Sequence, residues 1–167
     1  MSRFIVVVAG PNGAGKTTFV QRFLAPLGLR IVNVEAIAAA LNPPNPDAVA
    51  YEAAKAADVV REDLLARGVS FCMETVFSDR EGSKIRFLRK ARERAYAIVL
   101  IFVGLENSDL AIGRVIERTE HGGHEVDHAF VLDNSSAEEP YRLVAELRSG
   151  RVMRRGPHQP RWWTERE

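Results

Sequence analysis

The feature that most constrains this chain is a glycine-rich loop at residues 10–17, directly after the first apolar run. Its sequence, Gly-Pro-Asn-Gly-Ala-Gly-Lys-Thr, fits the pattern G-x-x-x-x-G-K-[ST]. Residues 4–9 before it are all apolar, which is typical of a strand buried on both faces. Residues 17–24 after it carry large apolar side chains at helical spacing. A buried strand, a glycine-rich loop and a helix in this order predict an α/β fold.

Each part of this loop has a physical role in binding a phosphate chain. Glycines allow backbone conformations that are closed to other residues, so successive N–H groups converge on phosphate oxygens. The helix that begins near Gly15 adds its positive dipole end, Lys16 can bridge the terminal phosphates, and the Thr17 hydroxyl can ligate Mg²⁺. We therefore expect a nucleoside triphosphate, ATP, to bind here with Mg²⁺. The loop residues that we expect to contact the nucleotide are Gly10, Asn12, Gly13, Ala14, Gly15, Lys16, Thr17 and Thr18.

Short apolar runs alternate with helical segments along the rest of the chain, which is the pattern of a parallel sheet covered on both faces. Further strands are predicted at residues 29–34, 69–73, 97–103 and 128–132. Helices are predicted at residues 35–41, 47–67, 81–94 and 108–120. Residues 141–147 and 151–154 flank a turn and predict a terminal hairpin. The predicted fold is a three-layer α/β P-loop NTPase or kinase fold, with about five parallel strands, helices on both faces and this C-terminal hairpin.

The length of 167 residues fits one domain with a sizeable core. We assign residues 1–156 to a P-loop domain and residues 157–167 to a polar C-terminal tail. The adjacent Trp162 and Trp163 are expected to pack this tail onto the body. Base stacking or partner binding is the alternative for this pair.

Composition and charge exclude several other classes of protein. A formal net charge of +1 gives no general reason to expect nucleic-acid or membrane binding. The single cysteine, Cys72, cannot form an internal disulfide and is interpreted as a buried apolar side chain. No apolar run approaches the roughly 20 residues needed to span a bilayer, so we predict a cytoplasmic protein.

Two glutamates follow predicted strands at the edge where open α/β sheets bind their ligands. Glu35 follows the strand at 29–34, and Glu74 follows the strand at 69–73. Either carboxylate could accept a proton from an attacking hydroxyl or hold Mg²⁺ through water. The alternative for each is to cap the next helix or to face water. The sequence leaves open which of them is the base and which is the metal ligand.

Phosphoryl transfer also needs positive charge over the moving group. Arg114 and Arg118 are four residues apart in the predicted helix at 108–120 and therefore share one face. We take Arg118 as a catalytic candidate and Arg114 as a nucleotide-binding candidate, and two solvent-facing arginines are the alternative. His121 and His124 lack partners at metal-binding spacing and are interpreted as loop residues.

With these segments in place, the chain resembles the zeta-toxin-like family of small P-loop kinases over about residues 3–156. Besides the loop, the resemblance rests on 32–37 (VNVEAI), 68–75 (GVSFCMET), 103–105 (VGL), 114–118 (RVIER), 122–124 (GGH) and 131–135 (VLDNS). It implies a P-loop kinase fold and ATP-dependent phosphorylation of a hydroxyl. For the toxins themselves the acceptor is UDP-N-acetylglucosamine.

The resemblance also implies roles for single residues. Glu35 stands where the family usually has an aspartate that serves as base, and Glu74 with Thr75 stands at the substrate wall. Asp133 and Asn134 lie near the strand that flanks the nucleotide base, so Asn134 is a further candidate for nucleotide contact. Residues 123–126 run almost directly into residues 127–130, where the family's pattern implies an arginine-bearing lid segment. We therefore expect this lid to be deleted here, and the alternative is that the natural chain has a segment which this sequence omits.

The resulting prediction is a small-molecule kinase that transfers the γ-phosphate of ATP to a hydroxyl-bearing acceptor such as a nucleotide sugar. The alternative is a non-catalytic or weakly hydrolysing ATP-binding module without a functional lid. An NTPase coupled to a partner is a third class, and no glutamine or asparagine is clearly placed to orient water for it. An antitoxin partner is left open. We predict slow turnover with some ATP hydrolysis, a short exposed connection at residues 121–128 and no helix over the phosphates.

Overall fold

The computed structural model describes residues 3–76, 82–106 and 126–163. Within these ranges the strands are β1 (Phe4–Ala9), β2 (Arg30–Val32), β3 (Phe71–Thr75), β4 (Ala97–Gly104), β5 (His128–Asp133), β6 (Arg142–Arg148) and β7 (Arg151–Arg155). They form one seven-stranded sheet in the order β2-β3-β1-β4-β5-β6-β7. The first five strands of this order are parallel, and β6 and β7 are antiparallel. The predicted parallel sheet and the terminal hairpin are both confirmed.

The central strand β1 brings the ends of its two neighbours to the same edge of the sheet. Its last residue, Ala9, pairs with Thr75 of β3 and with Phe102 of β4. Glu74 pairs with Val8 and lies inside β3, which corrects the prediction that it follows the strand. A strand buried on both faces tolerates this glutamate because its carboxylate is at the edge where the loops begin.

The helices are α1 (Lys16–Phe19), α2 (Val34–Leu41), α3 (Ala50–Ala66) and α4 (Ser83–Glu93). A π-helical turn over Val20–Leu24 continues α1. Strand β2 ends earlier than predicted because the Asn33 side chain caps α2 by accepting a hydrogen bond from the Ala36 amide at 2.9 Å. The helix predicted at 47–67 begins instead with a 3-10 turn, Pro46–Val49, so α3 starts at Ala50. The helix predicted at 108–120 lies outside the described residues.

The sheet separates two apolar clusters. Alternate residues of β1 face opposite sides, with Ile5 and Val7 in one cluster and Val6 and Val8 in the other. The larger cluster also contains Trp162 and Trp163, which confirms the prediction that this pair packs onto the body. No helix among the described residues is long and apolar enough to cross a membrane.

Candidate phosphate-binding and acceptor site

The glycine-rich loop leaves β1 at a point where only glycine fits. An ideal Cβ on Gly10 would lie 2.2 Å from the carbonyl oxygen of Val103 in β4. At Gly15, where φ is +85°, a Cβ would lie 2.6 Å from the side-chain nitrogen of Asn134. The loop is therefore held between β4 on one side and the segment after β5 on the other, and side chains at these two positions would push it out of place.

Lys16 and Thr17, the last two residues of the loop motif, are the first two residues of α1. Lys16 is buried, and its Nζ donates a hydrogen bond to the Pro11 carbonyl oxygen at 2.8 Å. Burial lowers the pKa of Lys16, and the nearby Glu35 and Glu74 carboxylates act in the opposite direction. Both predicted carboxylates are thus close enough to Lys16 to influence its charge.

Glu74 is 8% exposed, and both of its oxygens accept hydrogen bonds. Oε2 accepts from the Thr17 hydroxyl at 2.9 Å, and Oε1 accepts from the Asn33 side-chain amide at 2.7 Å. Oxygen ligands of this kind suit Mg²⁺, which binds through one or two protein groups together with water and substrate phosphates. The residues present therefore fit a magnesium ion beside the Thr17 hydroxyl.

Glu35 lies in the first turn of α2 and is exposed. It borders a cavity of about 250 Å³ whose other walls come from the loop, which we call the loop cavity. It also borders a second cavity of about 440 Å³ that reaches Glu74, α3 and α4, which we call the side cavity. Asn12 and Lys16 line both cavities as well. The structure therefore brings Lys16, Glu35 and Glu74 together around adjoining spaces.

Asn134 and Tyr141 stabilise the loop by hydrogen bonds to two of its carbonyl oxygens. The Asn134 side chain donates to the Ala14 carbonyl oxygen at 3.0 Å, and the Tyr141 hydroxyl donates to the Gly15 carbonyl oxygen at 3.0 Å. The Tyr141 amide in turn donates to the Asn134 side-chain oxygen at 3.3 Å. The described contacts of Asn134 are thus with the backbone, and its contact with a nucleotide stays a prediction.

Asp133, at the end of β5, is 1% exposed and forms the centre of a polar network. Its carboxylate accepts hydrogen bonds from the Ser135 hydroxyl at 2.6 Å, the Arg142 guanidinium at 3.0 Å and the Trp162 indole at 3.2 Å. Burial alone would raise the pKa of Asp133, but the hydrogen bonds from these three side chains outweigh it and lower the pKa.

Sequence reasoning missed three residues of this region. The Asn33 side chain orients Glu74 by a hydrogen bond. Its position between a strand and Glu35, where a polar residue can cap the next helix, could have indicated it. Tyr141 contacts the loop from 126 positions away, and no local pattern indicates such a contact. Arg61 lines the side cavity from α3, where its sequence context is that of an ordinary helix surface.

Arg114 and Arg118 lie outside the described residues, as do His121 and His124 and the central part of the connection predicted at 121–128.

Cys72 is buried in β3, and its burial, assisted by Glu74, raises the pKa of the thiol to about 12. This environment confirms that Cys72 is an apolar packing residue.

A glycine-rich loop between β1 and α1, on five parallel strands in the order β2-β3-β1-β4-β5, defines the P-loop NTPase and kinase fold. The model of the AAA domain family (AAA_33) matches residues 5–139, and the chain belongs to this family. It is also 25% identical over 124 residues to an uncharacterized protein of Haemophilus influenzae, covering 74% of this chain and 86% of that protein.

Solved structures share the fold at low sequence identity. A candidate kinase from Chloroflexus aurantiacus is 17% identical with a TM-score of 0.59, over 83% of this chain and 92% of that one. A structure of the PezAT toxin-antitoxin system of Streptococcus pneumoniae is 12% identical with a TM-score of 0.62, over 87% and 71%. The complex of AvrRxo1-ORF1 and AvrRxo1-ORF2 with ATP is 15% identical with a TM-score of 0.61, over 90% and 60%.

Proposed function

We propose that this chain is an ATP- and Mg²⁺-dependent phosphotransferase that moves the γ-phosphoryl group of ATP to a hydroxyl of a small acceptor. The observation that carries this proposal is that the loop cavity and the side cavity share Lys16 and Glu35. Transfer between two bound molecules requires that they meet at common residues. The side cavity, at about 440 Å³, also has the size of a small-molecule site.

Each residue has a role in this proposal. The loop N–H groups and Lys16 bind and orient the phosphates, and Thr17 with Glu74 holds Mg²⁺, which offsets phosphate charge when bound. Glu35 accepts the proton of the acceptor hydroxyl as its oxygen bonds to the γ-phosphorus and ADP leaves. Glu35 suits this role because it borders both cavities and is exposed, whereas both oxygens of Glu74 already accept hydrogen bonds. Arg114 and Arg118 would supply further positive charge.

The acceptor that we propose is a nucleotide sugar such as UDP-N-acetylglucosamine. The sequence resemblance to zeta-toxin-like kinases supports this class. The structural likeness to a toxin-antitoxin system and to an ATP-bound complex is consistent with ATP as donor and with an antitoxin as partner. The kinase named among the similar structures supports phosphoryl transfer in general.

A second candidate function is a nucleotide-binding module with weak hydrolysis. One feature of the described residues favours it: the loop cavity is bordered only by the loop, Thr18 and the exposed Glu35 within the part of the chain that the structure describes. Water that reaches the γ-phosphate would weaken every charge interaction there.

Incubation with ATP, Mg²⁺ and a set of nucleotide sugars, followed by mass spectrometry of the acceptors, tests the two functions against each other. The phosphotransferase forms a phosphorylated acceptor together with ADP, and Lys16→Ala abolishes both. Formation of ADP without any phosphorylated acceptor would support the hydrolysing module. Binding of ATP with neither product would leave the chain a module without catalysis.

A further inference from the structure

The side cavity contains a buried arginine that the transfer step does not use. Arg61, on α3, lines this cavity, and its side chain is only 6% exposed. Among the described residues its hydrogen-bond partner is Asp58, one turn earlier on the same helix. The Asp58 side chain is 68% exposed, so this carboxylate meets Arg61 from the rim of the cavity.

A guanidinium has five N–H donors in a planar fork, and Asp58 engages only one of its nitrogens, Nη2. Removing a cation from water costs several kcal/mol unless it is paired and its donors are satisfied. The described residues provide no acceptor for the other two guanidinium nitrogens, so water in the cavity or a bound ligand has to supply one. A carboxylate or a phosphate matches the geometry of this fork with two parallel hydrogen bonds.

A second arginine, directly after the last residue of α3, shows that such an ion pair does not require burial. Arg67 pairs with Asp63 at 3.2 Å, also one turn earlier, and its side chain is 64% exposed. An exposed helix pair of this kind contributes about 0.3–0.5 kcal/mol without any desolvation cost. The ion pair with Asp58 therefore does not account for the burial of Arg61, and its position in a ligand-sized cavity suits a group that binds a ligand.

We propose that Arg61 binds an anionic group of the acceptor, so that the acceptor carries a phosphate or a carboxylate in addition to the hydroxyl that is phosphorylated. This inference rests on the proposed phosphotransferase function. Arg61 lines only the side cavity, whereas Glu35 lines both cavities. The anionic group is thereby bound towards α3, and the hydroxyl is directed towards Glu35 and the nucleotide. Repulsion from Glu35, which also borders the loop cavity, and from the nucleotide phosphates disfavours the reversed orientation.

A binding experiment tests Arg61 without any catalysis. The protein is saturated with ADP and Mg²⁺ to occupy the phosphate loop, and inorganic phosphate or acetate is titrated while the arginine Nε–H signals are followed by NMR. We expect the Arg61 signal to shift and saturate in the wild type and in the control Arg67→Met. Arg61→Met keeps the length of the side chain and should lose the response, and Arg61→Lys should retain part of it. An unshifted Arg61 signal with both anions, or an unchanged response in Arg61→Met, overturns the proposal.

A second measurement distinguishes which anion Arg61 binds from what Arg61 contributes to phosphoryl transfer. A response to phosphate alone assigns a phosphorylated acceptor, and a response to acetate alone assigns a carboxylate. Glycerol, D-glycerate and glycerol 3-phosphate are then compared as acceptors. We expect an anionic compound to be preferred and Arg61→Met to raise its KM at least tenfold, with kcat and the KM for ATP nearly unchanged. Preference for glycerol overturns the Arg61 proposal, whereas anion binding without transfer to any of these compounds or to the nucleotide sugars contradicts the proposed function instead.

Discussion

At the scale of single residues, Glu35 and Glu74 have carboxylates in opposite environments. Glu74 is buried and accepts hydrogen bonds from Thr17 and Asn33, so its position is fixed next to the hydroxyl expected to ligate Mg²⁺. Glu35 is exposed at the start of α2 and borders both cavities. A proton acceptor must reach the acceptor hydroxyl, and a metal ligand must be held in place. These environments support the roles that we propose for the two glutamates.

Replacing Glu35 with a side chain that cannot accept a proton should slow phosphoryl transfer without affecting nucleotide binding. We expect Glu35→Gln to lower the transfer rate by about 10²- to 10⁴-fold, with an almost unchanged Kd for ATP and Mg²⁺. Glu74→Gln should instead raise the Mg²⁺ concentration needed for half-maximal rate. Product formation at several Mg²⁺ concentrations measures both effects. A larger rate loss in Glu74→Gln at saturating Mg²⁺ would mean that the roles are reversed.

Lys16 provides the second prediction at this scale. Because its ammonium group is buried beside the loop, Lys16→Ala removes a charge-assisted contact to the phosphates, which is worth about 1.5–3 kcal/mol. The affinity for ATP should fall about 10- to 100-fold by calorimetry. Lys90→Ala is the matched control, since Lys90 is an exposed lysine paired with Glu62 at 2.6 Å. Equal affinity in the wild type and Lys16→Ala would refute the assignment of the loop.

At the scale of elements, the phosphate loop depends on the segment between β5 and β6. Asn134 and Tyr141 each donate a hydrogen bond to a loop carbonyl, at Ala14 and Gly15. These bonds fix carbonyl groups that would otherwise need water, and they leave the loop N–H groups free to point at a ligand. The segment after β5 therefore preorganises the loop.

Loss of one of these bonds should weaken ATP binding through the shape of the loop. Tyr141→Phe keeps the ring contacts to Phe19 and Phe23 and removes only the hydroxyl that binds the Gly15 carbonyl oxygen. We expect the Kd for ATP to rise about fivefold, which corresponds to about 1 kcal/mol for one hydrogen bond. Tyr51→Phe, at an exposed position of α3, serves as the control. An unchanged Kd in Tyr141→Phe would show that the loop holds its shape without this bond.

At the scale of the whole molecule, Asp133 joins β5, β6 and the end of the chain. It binds Arg142 of β6 and Trp162 of the C-terminal segment, and Trp162 also covers Gly104 of β4, where an added Cβ would lie 2.6 Å from the indole. A buried carboxylate with charged and neutral donors contributes to stability only while it is ionised. His158 of the same segment also lies 3.2 Å from the Asp133 carboxylate through its Nε2, so the C-terminal segment is coupled to the core through this buried group.

The stability of the protein should therefore depend on the charge of Asp133. The folded pKa is lowered, so this contribution is present above the unfolded pKa of about 3.9 and is lost as the pH falls through the folded pKa. We expect Asp133→Asn to lower the free energy of unfolding at pH 7 by about 2–4 kcal/mol. Urea unfolding between pH 7 and pH 3 should show this difference shrinking below about pH 4.

The matched control for this prediction is Glu139→Gln. Glu139 pairs with the same Arg142 at 3.2 Å, but its side chain is 69% exposed, so the change should stay within about 0.5 kcal/mol. Equal effects of Asp133→Asn and Glu139→Gln, or a difference between Asp133→Asn and wild type that is undiminished at pH 3, would contradict the role of the buried network.

Most of the fold could be predicted because its determinants are local. The apolar run of β1, the glycines that the loop conformation needs and the turn at Ser149-Gly150 act within a few residues, so periodicity and turn chemistry reveal them. Boundaries were less accurate where one contact decided them. Strand β2 ends early because Asn33 caps α2, and α3 starts late because Pro46 begins a 3-10 turn.

The sequence by itself determined the strand-loop-helix unit, the parallel sheet with its C-terminal hairpin and the identity of the groups at its ligand-binding edge. Only the tertiary structure decided that Glu74 contacts Thr17 and Asn33, that Tyr141 supports Gly15 and that Arg61 lies inside a cavity. These contacts depend on the order β2-β3-β1-β4-β5, which places segments next to each other that are far apart in the chain. Hydrophobic periodicity indicates which face of a helix or strand is buried, but it does not indicate which other helix or strand packs against that face.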